Sequence, residues 1–137
     1  MVRRSANAPC PCGTGRRYKA CCKRLHDGTP AADPESLMRS RYSAYALDLP
    51  AYLMATTHPA SPHHRPDAVA WKAELRAFSR GTSFDGLTVH EARQDGARGA
   101  VRFTAHLSRD GVDVGFQEHS TFERVGDRWL YVAAIQD

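Results

Sequence analysis

The sequence predicts an α+β protein: a small N-terminal module built on four cysteines, then three helices packed on a curved, four-stranded antiparallel sheet. Three observations carry this reading. All four cysteines of the 137-residue chain fall between Cys10 and Cys22. Apolar residues then recur at helical spacing from about Pro34 to Arg80, and from Thr82 the period changes to two. Helices followed by hairpins, without alternation, are the pattern of segregated helix and sheet layers.

The first element is the cysteine run, with spacing C-x-C-x8-C-C. Gly13 and Gly15 let the backbone between the pairs turn back. Met1-Val2-Arg3-Arg4-Ser5 lacks the apolar stretch of a secretory signal, and no apolar run approaches the length of a membrane span. A cytoplasmic location follows, where thiols stay reduced. Cys10, Cys12, Cys21 and Cys22 therefore read as metal ligands, with one structural Zn²⁺ as the default guest of four thiolates. The alternatives are a metal-free cluster or a redox pair at Cys21-Cys22. Four thiolates complete a tetrahedron, so His26 is expected at the surface.

Residues 27–34 are rich in turn formers and read as a linker between a module over 1–26 and a domain over 35–137. Asp33-Pro34-Glu35 is a helix start: N-cap, proline at the first helical position, acid in the first turn. Leu37, Met38, Tyr42, Tyr45 and Leu49 form that helix's apolar stripe. Asp48-Leu49-Pro50 repeats the signal for a short second helix through Met54. A third runs from about Asp67 to Arg80, burying Val69, Trp71, Leu75 and Phe78, with Gly81 as its cap. Between them runs a proline-broken loop from His58 to Pro66, in which His63 and His64 are expected to be exposed.

Four strands follow, at about 83–92, 98–108, 112–124 and 128–136. Asp95-Gly96, Asp110-Gly111 and Gly126-Asp127 mark their turns. A tight Asp110-Gly111 turn pairs Ala105 with Phe116, Phe103 with Glu118 and Val101 with Ser120. A tight Gly126-Asp127 turn pairs Phe122 with Tyr131, Ser120 with Ala133 and Glu118 with Ile135. Both put one mostly apolar row on the same face.

Charge divides the chain. Residues 1–26 hold seven Lys/Arg and no acid; the rest hold twelve Lys/Arg against fifteen Asp/Glu. Thiolates around a dication leave a negative site that nearby cations offset. The same cations form a surface suited to a protein partner, RNA or the ribosome.

Pro9-Cys10-Pro11-Cys12-Gly13-Thr14-Gly15, with Tyr18-Lys19 and Cys21-Cys22, resembles the SEC-C motif, the small zinc module of the SecA translocation ATPase. That resemblance implies one zinc on Cys10, Cys12, Cys21 and Cys22, and an interaction role, since the SecA module contacts a chaperone and ribosomes. Together with Leu37-Met38-Arg39-Ser40-Arg41-Tyr42, Thr57-His58-Pro59, Glu118-x-Ser120-x-Phe122 and Trp129-x-Tyr131, it makes nearly the whole chain similar to the YchJ family. This implies a SEC-C motif joined to a domain like nuclear transport factor 2, a cystatin-like cone whose biochemical activity is not established.

Within the cone, Glu118 stands out on the core-facing row. A buried carboxylate needs a partner, and Arg39, Arg41, Tyr42 or Tyr45 can supply one. The expected arrangement is a clamp from sheet to helix. The alternative is a small-molecule pocket at the cone mouth, with Glu118 and His58 as acid–base groups. No G-x-S-x-G, H-E-x-x-H or phosphate-cradling loop occurs. The sequence therefore favours a non-enzymatic zinc-binding adaptor, docking on a protein or ribonucleoprotein, over an enzyme.

Overall fold

The computed structural model describes residues 5–135. Arg3 and Arg4 of the basic block, and the last predicted strand residue at 136, lie outside them. After a 3-10 turn at Tyr18–Ala20 come helices α1 (Cys22–His26), α2 (Pro34–Ala46), α3 (Pro50–Ala55) and α4 (Ala68–Arg80). Strands β1 (Ser83–Asp95), β2 (Arg98–Arg109), β3 (Val112–Asp113), β4 (Phe116–Val125) and β5 (Arg128–Ile135) form one antiparallel sheet in the order β1-β2-β4-β5, with β3 beside β2.

Helix α2 begins as its sequence dictates. Asp33 is the N-cap, its side chain accepting from Ser36 N at 2.7 Å, with Pro34 at the first helical position. Its buried Leu37, Met38 and Tyr42 meet the sheet's inner row of Leu87, Val101, Phe103, Leu107 and Phe122, which forms the main core. A bulge in β1 between Phe84 and Gly86 turns the Gly86 N–H toward the helix. It donates to Tyr42 Oη at 2.9 Å, and the φ of 151° there suits glycine.

The register agrees with the sequence at the first turn: Ala105 faces Phe116, Phe103 faces Glu118 and Val101 faces Ser120. The single predicted third strand is, however, broken into β3 and β4. At Gly115 the chain passes so close to β2 that a Cβ would stand 2.6 Å from the Ala105 carbonyl oxygen.

The second turn holds Phe122 opposite Tyr131, but a bulge then slips β5 by one residue. Ser120 faces Ala134 rather than Ala133, and Ile135 faces His119 rather than Glu118. Ile135 is consequently 42% exposed and leaves the core row. A one-residue slip reverses which face a side chain occupies.

Three helix details also differ. Asp48 does not cap α3; it adopts φ 58°, and its carboxylate accepts from Arg80 Nε at 3.0 Å, tying the α2–α3 turn to the end of α4. Gly81 ends α4 with φ −90°, not left-handed. Val69 is solvent-exposed, on the outer side of α4 from Trp71. The segment 27–34 is no free spacer either: Ala31 is buried in the main core and Thr29 N donates to Arg24 O at 3.0 Å.

Candidate functional site

The cysteine module is a knuckle followed by a helix start. Pro9 and Arg17 form an antiparallel bridge, with Cys10 N donating to Arg16 O and Tyr18 N to Ala8 O, each at 2.9 Å. Gly13 and Gly15 turn the intervening loop at φ 84° and 85°. Cys21 closes the 3-10 turn and Cys22 opens α1, so the change of direction brings both thiols to the first pair.

The four sulfur atoms lie within 4.8 Å of one another. Sulfurs at tetrahedral corners about 2.3 Å from an ion stand about 3.8 Å apart, so the donor set fits a four-coordinate metal. Thiols this crowded cannot all ionise alone. Thiol donors from Cys12 and Cys22 hold Cys10 well below its usual range, while sharing with Cys10 pushes Cys12 up to about 11, and Cys22 is raised by the same contacts. A bound cation would relieve this conflict by stabilising every thiolate at once.

The module is fastened to α2. Arg39 Nη1 donates to the Cys12 carbonyl at 2.7 Å while its Nε pairs with Glu35 at 2.9 Å. Ser43 Oγ lies 3.4 Å from Cys10 Sγ. His26, expected at the surface, is instead a strut: Nδ1 meets Tyr18 Oη at 2.6 Å and Nε2 meets the Ser40 carbonyl at 2.8 Å. The carbonyl can only accept, so Nε2 carries the proton and Nδ1 accepts from the tyrosine. Burial lowers the His26 pKa.

On the other side of α2, the cone encloses an open cavity of ≈ 390 Å³. Arg41, Tyr42 and Tyr45 line it from α2, Trp71 from α4, and Glu118 and Tyr131 from the sheet. The expected clamp between Glu118 and α2 is not formed. Glu118 Oε2 accepts from Ser120 Oγ and, at 3.4 Å, from Tyr131 Oη, both on the sheet. Arg41 bonds elsewhere, with Nη1 donating to Leu53 O, Thr56 Oγ1 and Thr57 Oγ1, and its guanidinium lies 4.8 Å from the Tyr131 ring centroid. Burial raises Tyr42 to about 12, and burial with the Glu118 charge raises Tyr131 further.

His58 is not among the residues lining the cavity. Its backbone N donates to Tyr131 O at 2.8 Å, its Nδ1 accepts from Ala60 N, and its Nε2 lies 3.6 Å from Glu123. His63 stands at the cavity instead, its ring 5.7 Å from that of Tyr131. Sequence reasoning missed Tyr131 and Ser120 as partners of Glu118. Ser120 was legible, because residues two apart on a strand share a face. Tyr131 needed the register of β5.

A profile of the YchJ middle domain, like nuclear transport factor 2, matches residues 33–134. The chain belongs to the YchJ family. The SEC-C motif matches residues 7–24. A YchJ-family relative from Deinococcus radiodurans, named only as a UPF0225 protein, is 40% identical over 130 residues, covering 93% of this chain and 89% of its own. One from Bordetella parapertussis is 39% identical, covering 93% and 92%. The solution structure of a SEC-C motif containing protein from Rhodopseudomonas palustris superposes with a TM-score of 0.80 at 33% identity, covering 95% of this chain and 99% of that one. Among the described residues, no helix is long and apolar enough to cross a membrane.

Proposed function

We propose that this YchJ-family protein binds a small molecule in its cone cavity, and that one structural zinc braces the wall of that cavity. The observation that carries the reading is the ≈ 390 Å³ opening itself, where a helix–sheet clamp was expected. Its size lies within the range of small-molecule sites, and it combines apolar walls with a few convergent polar groups. Zinc would be held by Cys10, Cys12, Cys21 and Cys22. A site closed by four thiolates leaves no open position for water, so its contribution is structural. Binding without catalysis is the proposed activity.

Ala105 lines the cavity, so Ala105→Phe places a ring inside it. Aromatic fragments should raise the melting temperature of the wild type and leave this variant unmoved. Equal shifts in both proteins, or none in either, would sink the reading. Metal analysis should give about one zinc per chain, falling in Cys12→Ser; a different metal would overturn the assignment.

A second reading, the adaptor, is favoured by Arg16, Arg17, Lys19 and Arg24, which are exposed and form no ion pair among the described residues. These suit an acidic protein or RNA. RNA association by this surface should weaken steeply with added salt, because phosphate contacts release counterions. A salt-independent association would exclude it.

A further inference from the structure

The charged groups of the cavity point to the class of ligand, an inference that rests on the cavity being a binding site. Arg41 is only 6% exposed, yet it forms no ion pair with any described carboxylate. All its hydrogen bonds leave from Nη1, at 2.7–3.2 Å, and end on neutral oxygens of Leu53, Thr56 and Thr57. Nε and Nη2 donate to no described group. Those two nitrogens form one edge of the guanidinium, the edge that grips a carboxylate side-on with two parallel bonds. A guanidinium stays charged at every physiological pH, and a buried charge without a counter-ion is unfavourable.

We propose that the cavity binds a small, flat, largely apolar carboxylate whose head group is held by Nε and Nη2 of Arg41. The shape follows from the aromatic walls, among them Trp71, Phe78 and Phe103. The limit to a single negative charge follows from the cations: Arg41 alone of the two cavity guanidiniums is left without an ion pair, and the Glu118 carboxylate in the same cavity already opposes any further anion. Arg65, the other cationic side chain at the cavity with a permanent charge, already pairs with Glu74 at 3.4 Å. That leaves one guanidinium for the ligand, which suits a monoanion better than a phosphate. Glu118 adds a second requirement. Both its hydrogen bonds fall on Oε2, so Oε1 is open to accept from a hydroxyl or amine on the ligand, and its charge opposes a second anionic group.

The test is calorimetric titration of the full-length, zinc-loaded protein with 2-naphthoate and with its neutral isostere 2-naphthamide. The carboxylate should bind about tenfold tighter, the gain expected of a charge-assisted pair over a neutral one. Arg41→Gln removes the charge together with the fork and should abolish that preference; a retained cooperative melt shows that the variant is folded. Glu118→Gln acts independently of any folding defect at Arg41, and by removing the opposing charge should strengthen naphthoate binding severalfold relative to the amide. Equal affinities for the two probes, or a preference for the amide, would overturn the carboxylate assignment and leave the cavity standing as a neutral-ligand site. Binding of neither probe would remove the cavity reading and this inference with it.

Discussion

The cysteine module and the cone reach order by opposite routes. The cone has a continuous core in which Leu37, Val101, Phe103 and Phe122 are almost fully buried between α2 and the sheet. The module's buried cluster is Cys10, Cys12 and Cys22, with Tyr18 and Cys21 packed against it. Apolar burial accumulates with area and tolerates loss by degrees. Metal ligation is local, and removing the ion leaves only crowded thiols that oppose one another's ionisation. The comparison teaches where each region is vulnerable: the cone to volume, the module to chemistry.

Removal of the proposed zinc is the largest expected perturbation, since structural zinc sites are worth on the order of 10 kcal/mol to small modules. Under chelation, the amides of Cys10 and Tyr18 should lose protection in hydrogen exchange while those of Val101 and Phe103 keep theirs. Equal loss in both regions would mean that the cone depends on the metal too. Next in size, Phe122→Ala should lower cone stability by about 3–5 kcal/mol, read as a drop in the urea midpoint. Zinc content in dilute buffer should not change; a fall would break the separation between the two regions.

His26 tests the junction. It is half-buried, and that burial lowers its pKa from 6.5, so the unfolded chain takes up its proton first as pH falls. The stability it confers is therefore complete above about pH 6.5 and is lost progressively below it. Between pH 7 and 5 the wild type should lose more stability than His26→Gln, measured by denaturant midpoints at each pH. Parallel pH profiles would show that the strut is not held neutral. Smallest is Asp33→Ala, which removes the N-cap of α2 and should cost about 1 kcal/mol. Because α2 carries Arg39 and Ser43, which touch Cys12 and Cys10, a small loss of metal retention should accompany it; none would mean the end of α2 and the module are uncoupled.

Much of this architecture was legible because it depends on local rules. The Asp33-Pro34 start of α2 is a capping pattern, and the two tight turns determine most of the pairing by counting. The failures have equally definite causes. The slip in β5 arises from a bulge at Thr121 and Phe122, which no alternation pattern marks. His58 and His63 are five residues apart in one proline-rich loop, and only the pairing of that loop with Tyr131 decides which of them reaches the cavity. His26 looked superfluous because the metal needed no fifth ligand, while its actual work is mechanical.

By itself, the sequence determined the four-cysteine cluster, the order of helices and strands, and the row that places Glu118 inside the cone, because spacing and periodicity are properties of the chain alone. Tertiary structure decided that the module is fastened to α2, that Glu118 bonds across the sheet, and that Arg41 faces an open cavity with one edge unpaired. Those outcomes depend on which groups meet across more than ten residues of intervening chain. Hydrogen-bond geometry and packing, and no local pattern, select among the partners that Glu118 and Arg41 could have taken.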